Sequence, residues 1–178
     1  MNTALVLHVP SAEPFVGDFR RQYDPSAADG MPAHVTLIYP FKPSDELTSA
    51  DTEKLGEVCL RHRSLDFSFA SLGRFPGVLW LAPEPGYPIA SLAHALAEAF
   101  PDWPFYGGTI ADFVPHLTLA HLTGADAETR LDQIEASFRS AVEGHLPIHQ
   151  TVFWVSFFDR SQNGRWREVS GFPLSARG

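Results

Sequence analysis

Pro32-Ala33-His34-Val35-Thr36-Leu37 and Val114-Pro115-His116-Leu117-Thr118-Leu119 are the two stretches on which the reading of this chain turns. Each reads His-apolar-Thr-Leu, and each His follows a proline by one or two residues. Apolar and β-branched neighbours make each stretch a strand. Side chains two apart on a strand point the same way. His34 therefore shares a face with Thr36, roughly 6.6 Å along the strand, and His116 shares one with Thr118. One such tetrapeptide recurs by chance and is most simply structural, with Thr placed there for its β propensity. Two copies, 82 residues apart in a chain of 178, divide the chain almost symmetrically. They imply a duplicated lobe, each half supplying one imidazole and one hydroxyl.

The segments around the motifs fit this division. Ala4 to Val9 is a compact apolar run and reads as a strand, with His8 a sheet histidine with a local partner. Ser11 is a candidate N-cap for a helix with Val16, Phe19 and Tyr23 on one face, and Arg20 and Arg21 read as solvated. The first motif strand runs from about His34 to Tyr39. Thr48 and Asp51 form a capping box ahead of the stripe Leu55, Val58, Cys59 and His62. Leu65 to Leu72 and Val78 to Ala82 form a hairpin through the turn at residues 73–77. Ile89, Leu92, Ala93, Leu96 and Phe100 line another helix, which Pro101 stops. After the Gly-rich loop of residues 102–112, the second motif strand spans about Val114 to Leu122. Thr123 and Asp126 suit a second capping box, before the stripe Leu131, Ile134, Phe138 and Val142. Ile148 to Phe158 is one long β-prone run, residues 159–164 turn, and Arg165 to Phe172 returns as a strand. The expected class is α+β in a single domain over residues 1–178. It has two similar lobes, each an antiparallel sheet with helices packed outside, flanking a central cleft. A lobe connection is placed near residues 83–88.

Bulk properties narrow the function classes. Hydrophobic residues make up 44% of the chain, enough for a real core. The formal net charge is −8, which argues against gripping long nucleic acid by its phosphates. A small anionic ligand needs only a few local donors and stays open. The single cysteine, Cys59, excludes a disulfide framework and a multi-cysteine zinc site. No apolar run reaches membrane-spanning length, and the N-terminal stretch lacks the basic start of a signal peptide. A cytoplasmic monomer with no membrane partner is expected.

Two imidazoles and two hydroxyls across a cleft define a chemistry. Histidine titrates near neutrality, so one ring can accept a proton while its twin donates one. Threonine hydroxyls can donate to an anionic oxygen between them. A phosphodiester matches this set, with two non-bridging oxygens, an attacking oxygen and a leaving oxygen. A zinc site is the competing reading, but no third His, Cys or carboxylate stands at short ligand spacing to His34 or His116. His121, five residues after His116 on a regular strand, faces the other way. No metal and no cofactor is expected.

These motifs resemble those of the two-histidine (2H) phosphoesterase superfamily, whose signature is a pair of His-x-Thr/Ser tetrads. The chain is similar to its 2′-5′ RNA ligase-like and cyclic phosphodiesterase branch. Residues 78–83, the Phe113-Val114-Pro115 entry to the second motif and the closing Gly164-Arg165-Trp166 support the likeness. Ala33 departs from the proline often found before the first His. The resemblance implies a bilobal pseudo-twofold fold and metal-independent chemistry on small nucleotide-like or RNA-end phosphodiesters, 2′,3′-cyclic or 2′-5′. His34 and His116 would be the acid–base pair, with Thr36 and Thr118 on the phosphate oxygens. The provisional division of labour makes His116 the base and His34 the acid. Phe41, Trp80 and Tyr106 are candidates for stacking on a base; Arg74 and Arg160 could reach a terminal phosphate, although solvated turn positions suit them better. The alternatives are a non-catalytic nucleotide or RNA-end binding module on the same fold, and a 2′-5′ RNA ligase.

Overall fold

The computed structural model describes residues 2–109, 112–160 and 162–176. Parts of two connections anticipated from sequence, residues 110–111 and 161, lie outside the described residues. The chain runs β1 (Thr3–His8), α1 (Glu13–Tyr23), α2 (Pro25–Ala28), β2 (His34–Ile38), α3 (Ser49–Leu60), β3 (Leu65–Phe75) and β4 (Val78–Glu84). It continues through α4 (Tyr87–Ala99), a 3₁₀ turn (Phe105–Gly108), β5 (Leu117–His121), α5 (Ala127–Ala141), β6 (Ile148–Val152), β7 (Trp154–Arg160) and β8 (Trp166–Pro173). Two four-stranded sheets result, ordered β2-β1-β7-β8 and β5-β4-β3-β6, and every pairing is antiparallel.

The motif strands β2 and β5 are edge strands, one in each sheet, and they lie against each other. The units β1-α1-β2 and β4-α4-β5 repeat the same order, and the helices are exchanged. Helix α1 packs on β5 and α4 packs on β2. Each connection thus covers the opposite lobe's motif strand, and the two edges are drawn together over a shared cleft. Leu5, Leu7, Val35 and Leu37 of the first sheet join Leu79, Leu81, Leu117 and Leu119 of the second in one buried core. Each such side chain contributes about 1.5–3 kcal/mol of apolar burial. Among the described residues no helix is long and apolar enough to cross a membrane.

Several local expectations need correction. The strands do not divide near residues 83–88, where the chain finishes β4 and enters α4. They change sheets between α3 and β3, and again at Phe153. The run from Ile148 to Phe158 is therefore two strands in different sheets. β6 ends on the β-branched Thr151 and Val152, and one residue later β7 opens on Trp154 and Val155, so β propensity runs unbroken across the switch. Ser11 is not the cap of α1; its hydroxyl donates to Gln150 Oε1 at 2.7 Å, and Ala12 stands at the N-cap. The Thr48–Asp51 capping box is present in full, whereas Asp126 precedes α5 without a side-chain cap bond.

Candidate active site

Cross-strand partners in an antiparallel sheet point to the same side. Val6 pairs with Thr36 and His8 with His34 on β1 and β2, and Trp80 pairs with Thr118 on β4 and β5. His34, Thr36 and Thr118 line one cavity of about 440 Å³ between the two motif strands. Ala4 and Met31 also line it, backed by Val6 and Phe158 of the same small apolar cluster.

The two histidines are held in the same way. His34 Nδ1 lies 2.8 Å from the Pro32 carbonyl, and His116 Nδ1 lies 2.8 Å from the Val114 carbonyl. In both motifs the partner is two residues back in sequence. A carbonyl only accepts, so each Nδ1 carries the hydrogen and each Nε2 keeps a lone pair. The duplication seen in the motifs thus extends to tautomer. His116 stands just ahead of β5 and is packed by the edge of Phe75, with centroids 5.1 Å apart, and by Trp80 at 5.9 Å. Trp80 lies across Gly73, where a Cβ would stand 2.2 Å from its ring.

Burial pushes His34 down to about 4; the nearby Arg20 guanidinium lowers it further, while the bond to Pro32 and the Asp24 carboxylate oppose. The charge of His116 also lowers it, so the two rings disfavour double protonation. Burial lowers His116 as well, against its bond to Val114. Burial raises the Tyr106 phenol, against the hydrogen bond it shares with Thr36. Among the described residues no three His, Cys, Asp or Glu side chains gather as a metal site.

The proposed stacking residues separate. Tyr106 does line the cavity, in left-handed backbone (φ 47°). Phe41 does not; it is 1% exposed and packs on Phe100, Trp103 and Phe157 in the core. Trp80 is not among the cavity's lining residues; its ring packs on His116, and its Nε1 is buried and unpartnered. Arg74 is engaged by Glu135 and Asp132 of α5, away from the cavity. Arg160 lines the cavity but is paired with Asp29.

The structure departs from the sequence expectation at His121 and at Arg20. His121 lines the cavity, because β5 carries an extra residue. Trp80 pairs with Thr118 but Leu79 pairs with Ala120, so Leu119 is bulged and His121 returns to the Thr118 side. Arg20, expected in solvent, is 1% exposed and bonded to Asp24. Tyr39 and Trp166, with ring centroids 6.2 Å apart, form an aromatic wall of the cavity; Trp166 belongs to the Gly164-Arg165-Trp166 stretch, but neither ring is expected at the cavity from sequence.

Comparison with known proteins places this arrangement. A family model described as the 2′-5′ RNA ligase superfamily matches residues 8–156. A Geobacillus thermodenitrificans protein, provisionally named a phosphoesterase, is 22% identical over 167 residues, covering 92% of this chain and 90% of its own. The structure of TT0787 from Thermus thermophilus aligns over the whole of both chains with a TM-score of 0.63 and 17% identity. That of E. coli LigT complexed with 3′-AMP aligns over 97% of each chain with a TM-score of 0.59 and 18% identity. Those two likenesses concern the fold. The match to the superfamily spans both His-x-Thr strands, and the chain belongs to the 2′-5′ RNA ligase superfamily, the 2H phosphoesterases.

Proposed function

We propose that this protein hydrolyses a small nucleotide-like or RNA-end phosphodiester, 2′,3′-cyclic or 2′-5′, by acid–base catalysis between His34 and His116. The observation that carries the reading is the matched pair of imidazoles, each with Nδ1 tied to the carbonyl two residues back; His34 lines the cavity with both threonines, and His116 stands one residue before β5, two before Thr118. One Nε2 takes a proton from water as its oxygen attacks phosphorus. The P–O bond to the ribose breaks, and the other imidazole gives its proton to the departing oxygen. The product is a phosphomonoester. Thr36 and Thr118 donate to the non-bridging oxygens, where charge accumulates. The provisional division of labour is reversed in this reading. Arg20 bears on His34 and opposes its protonation, so His34 is the base and His116 the acid. The anionic substrate supplies the field that keeps the proton on His116.

E. coli LigT, which shares the fold, has been seen with 3′-AMP, and a ligand of that kind suits the aromatic wall here. The test is turnover of 2′,3′-cyclic nucleotides, 2′-5′ dinucleotides and ADP-ribose cyclic phosphate after exhaustive EDTA treatment. At least one of these should be hydrolysed at an EDTA-independent rate. Loss on chelation with recovery on adding zinc or manganese would overturn the mechanism. Binding without turnover of any of them would make the protein a binding module.

A further inference from the structure

The two motif strands belong to different sheets, so no sheet hydrogen bond sets their separation. Arg20 reaches both. Its Nε donates to the Thr118 carbonyl at 3.1 Å, and its Nη1 to the Met31 carbonyl at 3.3 Å, three residues before His34. The same fork holds Asp24 Oδ2, from Nε at 3.2 Å and Nη2 at 2.9 Å. Asp24 Oδ1 is in turn fixed by the Ser26 amide at 2.9 Å and the Ser26 hydroxyl at 2.8 Å. Arg20 and Asp24 are 1% and 5% exposed. A buried ion pair adds little stability over apolar side chains of similar volume. Its distinctive property is geometric: a rigid planar fork touches one motif strand at its threonine and the entry to the other.

We propose that Arg20 and Asp24 are positioning residues, a strap that sets the spacing of Thr118 and His34 across the cleft. The catalytic part rests on the phosphodiesterase reading; the effect on His34 does not. The titratable and charged groups facing His34 are Arg20 and Asp24 from α1 and its C-cap, His116 from the second motif and His8 across β1, with Tyr106 over Thr36 and with His121, Asp29 and Arg160 on the walls of the same cavity. Arg20 disfavours the imidazolium and Asp24 favours it. Removing Arg20 should therefore raise the His34 midpoint and removing Asp24 should not, a difference that a purely structural strap would not produce.

The measurement is an NMR titration of ¹³C-labelled histidine in the full chain, with the His34 signal identified by loss in His34→Gln. Arg20→Met should raise the His34 midpoint by about one pH unit or more. Asp24→Asn should leave it at or below the wild-type midpoint. Arg20→Lys keeps the charge and loses the fork, so the midpoint should stay near wild type. Its kcat on 2′,3′-cyclic AMP should still fall on the order of 10²-fold, with KM within about threefold. If Arg20→Met does not fold, the Lys and Asn variants carry the test. An unmoved midpoint in folded Arg20→Met, a raised one in Asp24→Asn, or full kcat in Arg20→Lys would overturn the proposal. Should the wild type turn over no phosphodiester, the titrations still decide the strap's effect on His34, and the failure falls on the functional reading alone.

Discussion

Replacing His34 or His116 with alanine is expected to lower kcat on a 2′,3′-cyclic nucleotide by on the order of 10³-fold. Each imidazole moves a proton in the transition state, so the loss should appear in kcat with little change in KM. A diester with a p-nitrophenolate leaving group separates the two roles, because that group departs without a proton. His116→Ala should recover much of its lost rate on this substrate, and His34→Ala should not. This asymmetry follows from Arg20, which opposes protonation of His34. Rescue of His34→Ala alone would restore the opposite assignment. Rescue of neither would mean that proton transfer to the leaving oxygen is not what either ring supplies.

The threonines carry the next largest effect. Thr36→Ala and Thr118→Ala should each reduce kcat by on the order of 10²-fold, the size found for losing one donor to a developing oxyanion. KM should rise by less than kcat falls, since the hydroxyl matters most when the oxygens gain charge. Thr→Ser at either position keeps the donor and should retain most of the activity. Steady-state kinetics on the four variants checks the point. Parent rates in both Ala variants would show that the hydroxyls do not meet the phosphate.

The motif strands were legible because the pattern His-x-Thr at strand spacing occurs twice, and a two-residue period fixes which side chains share a face. The α+β class followed from helical stripes alternating with β-prone runs, and the capping box at Thr48 and Asp51 marks its helix correctly. The misreadings share a cause, since each depended on a tertiary partner. Arg20 and Arg21 are adjacent on α1, and only the Thr118 and Met31 carbonyls and Asp24 distinguish the buried one from the exposed one. His121 was assigned to the wrong face because a single bulged residue, Leu119, reverses the alternation. Phe41 follows the motif strand closely enough to suit a substrate wall, but its ring turns to Phe100 and Phe157. Tyr39 and Trp166 lie 127 positions apart, near the two opposite edges of one sheet, and both pack on the apolar cluster of Ala4, Val6, Met31 and Phe158 that lies between those edges.

Both His-x-Thr pairs are expected to act on one phosphodiester, with water attacking phosphorus in a fixed orientation. Hydrolysis of 2′,3′-cyclic AMP in H₂¹⁸O, followed by ³¹P NMR, tests it directly. The predicted product is a single regioisomer, 2′-AMP or 3′-AMP, with one ¹⁸O bound to phosphorus and none in the ribose. A mixture of regioisomers, or ¹⁸O in the ribose, would contradict the claim.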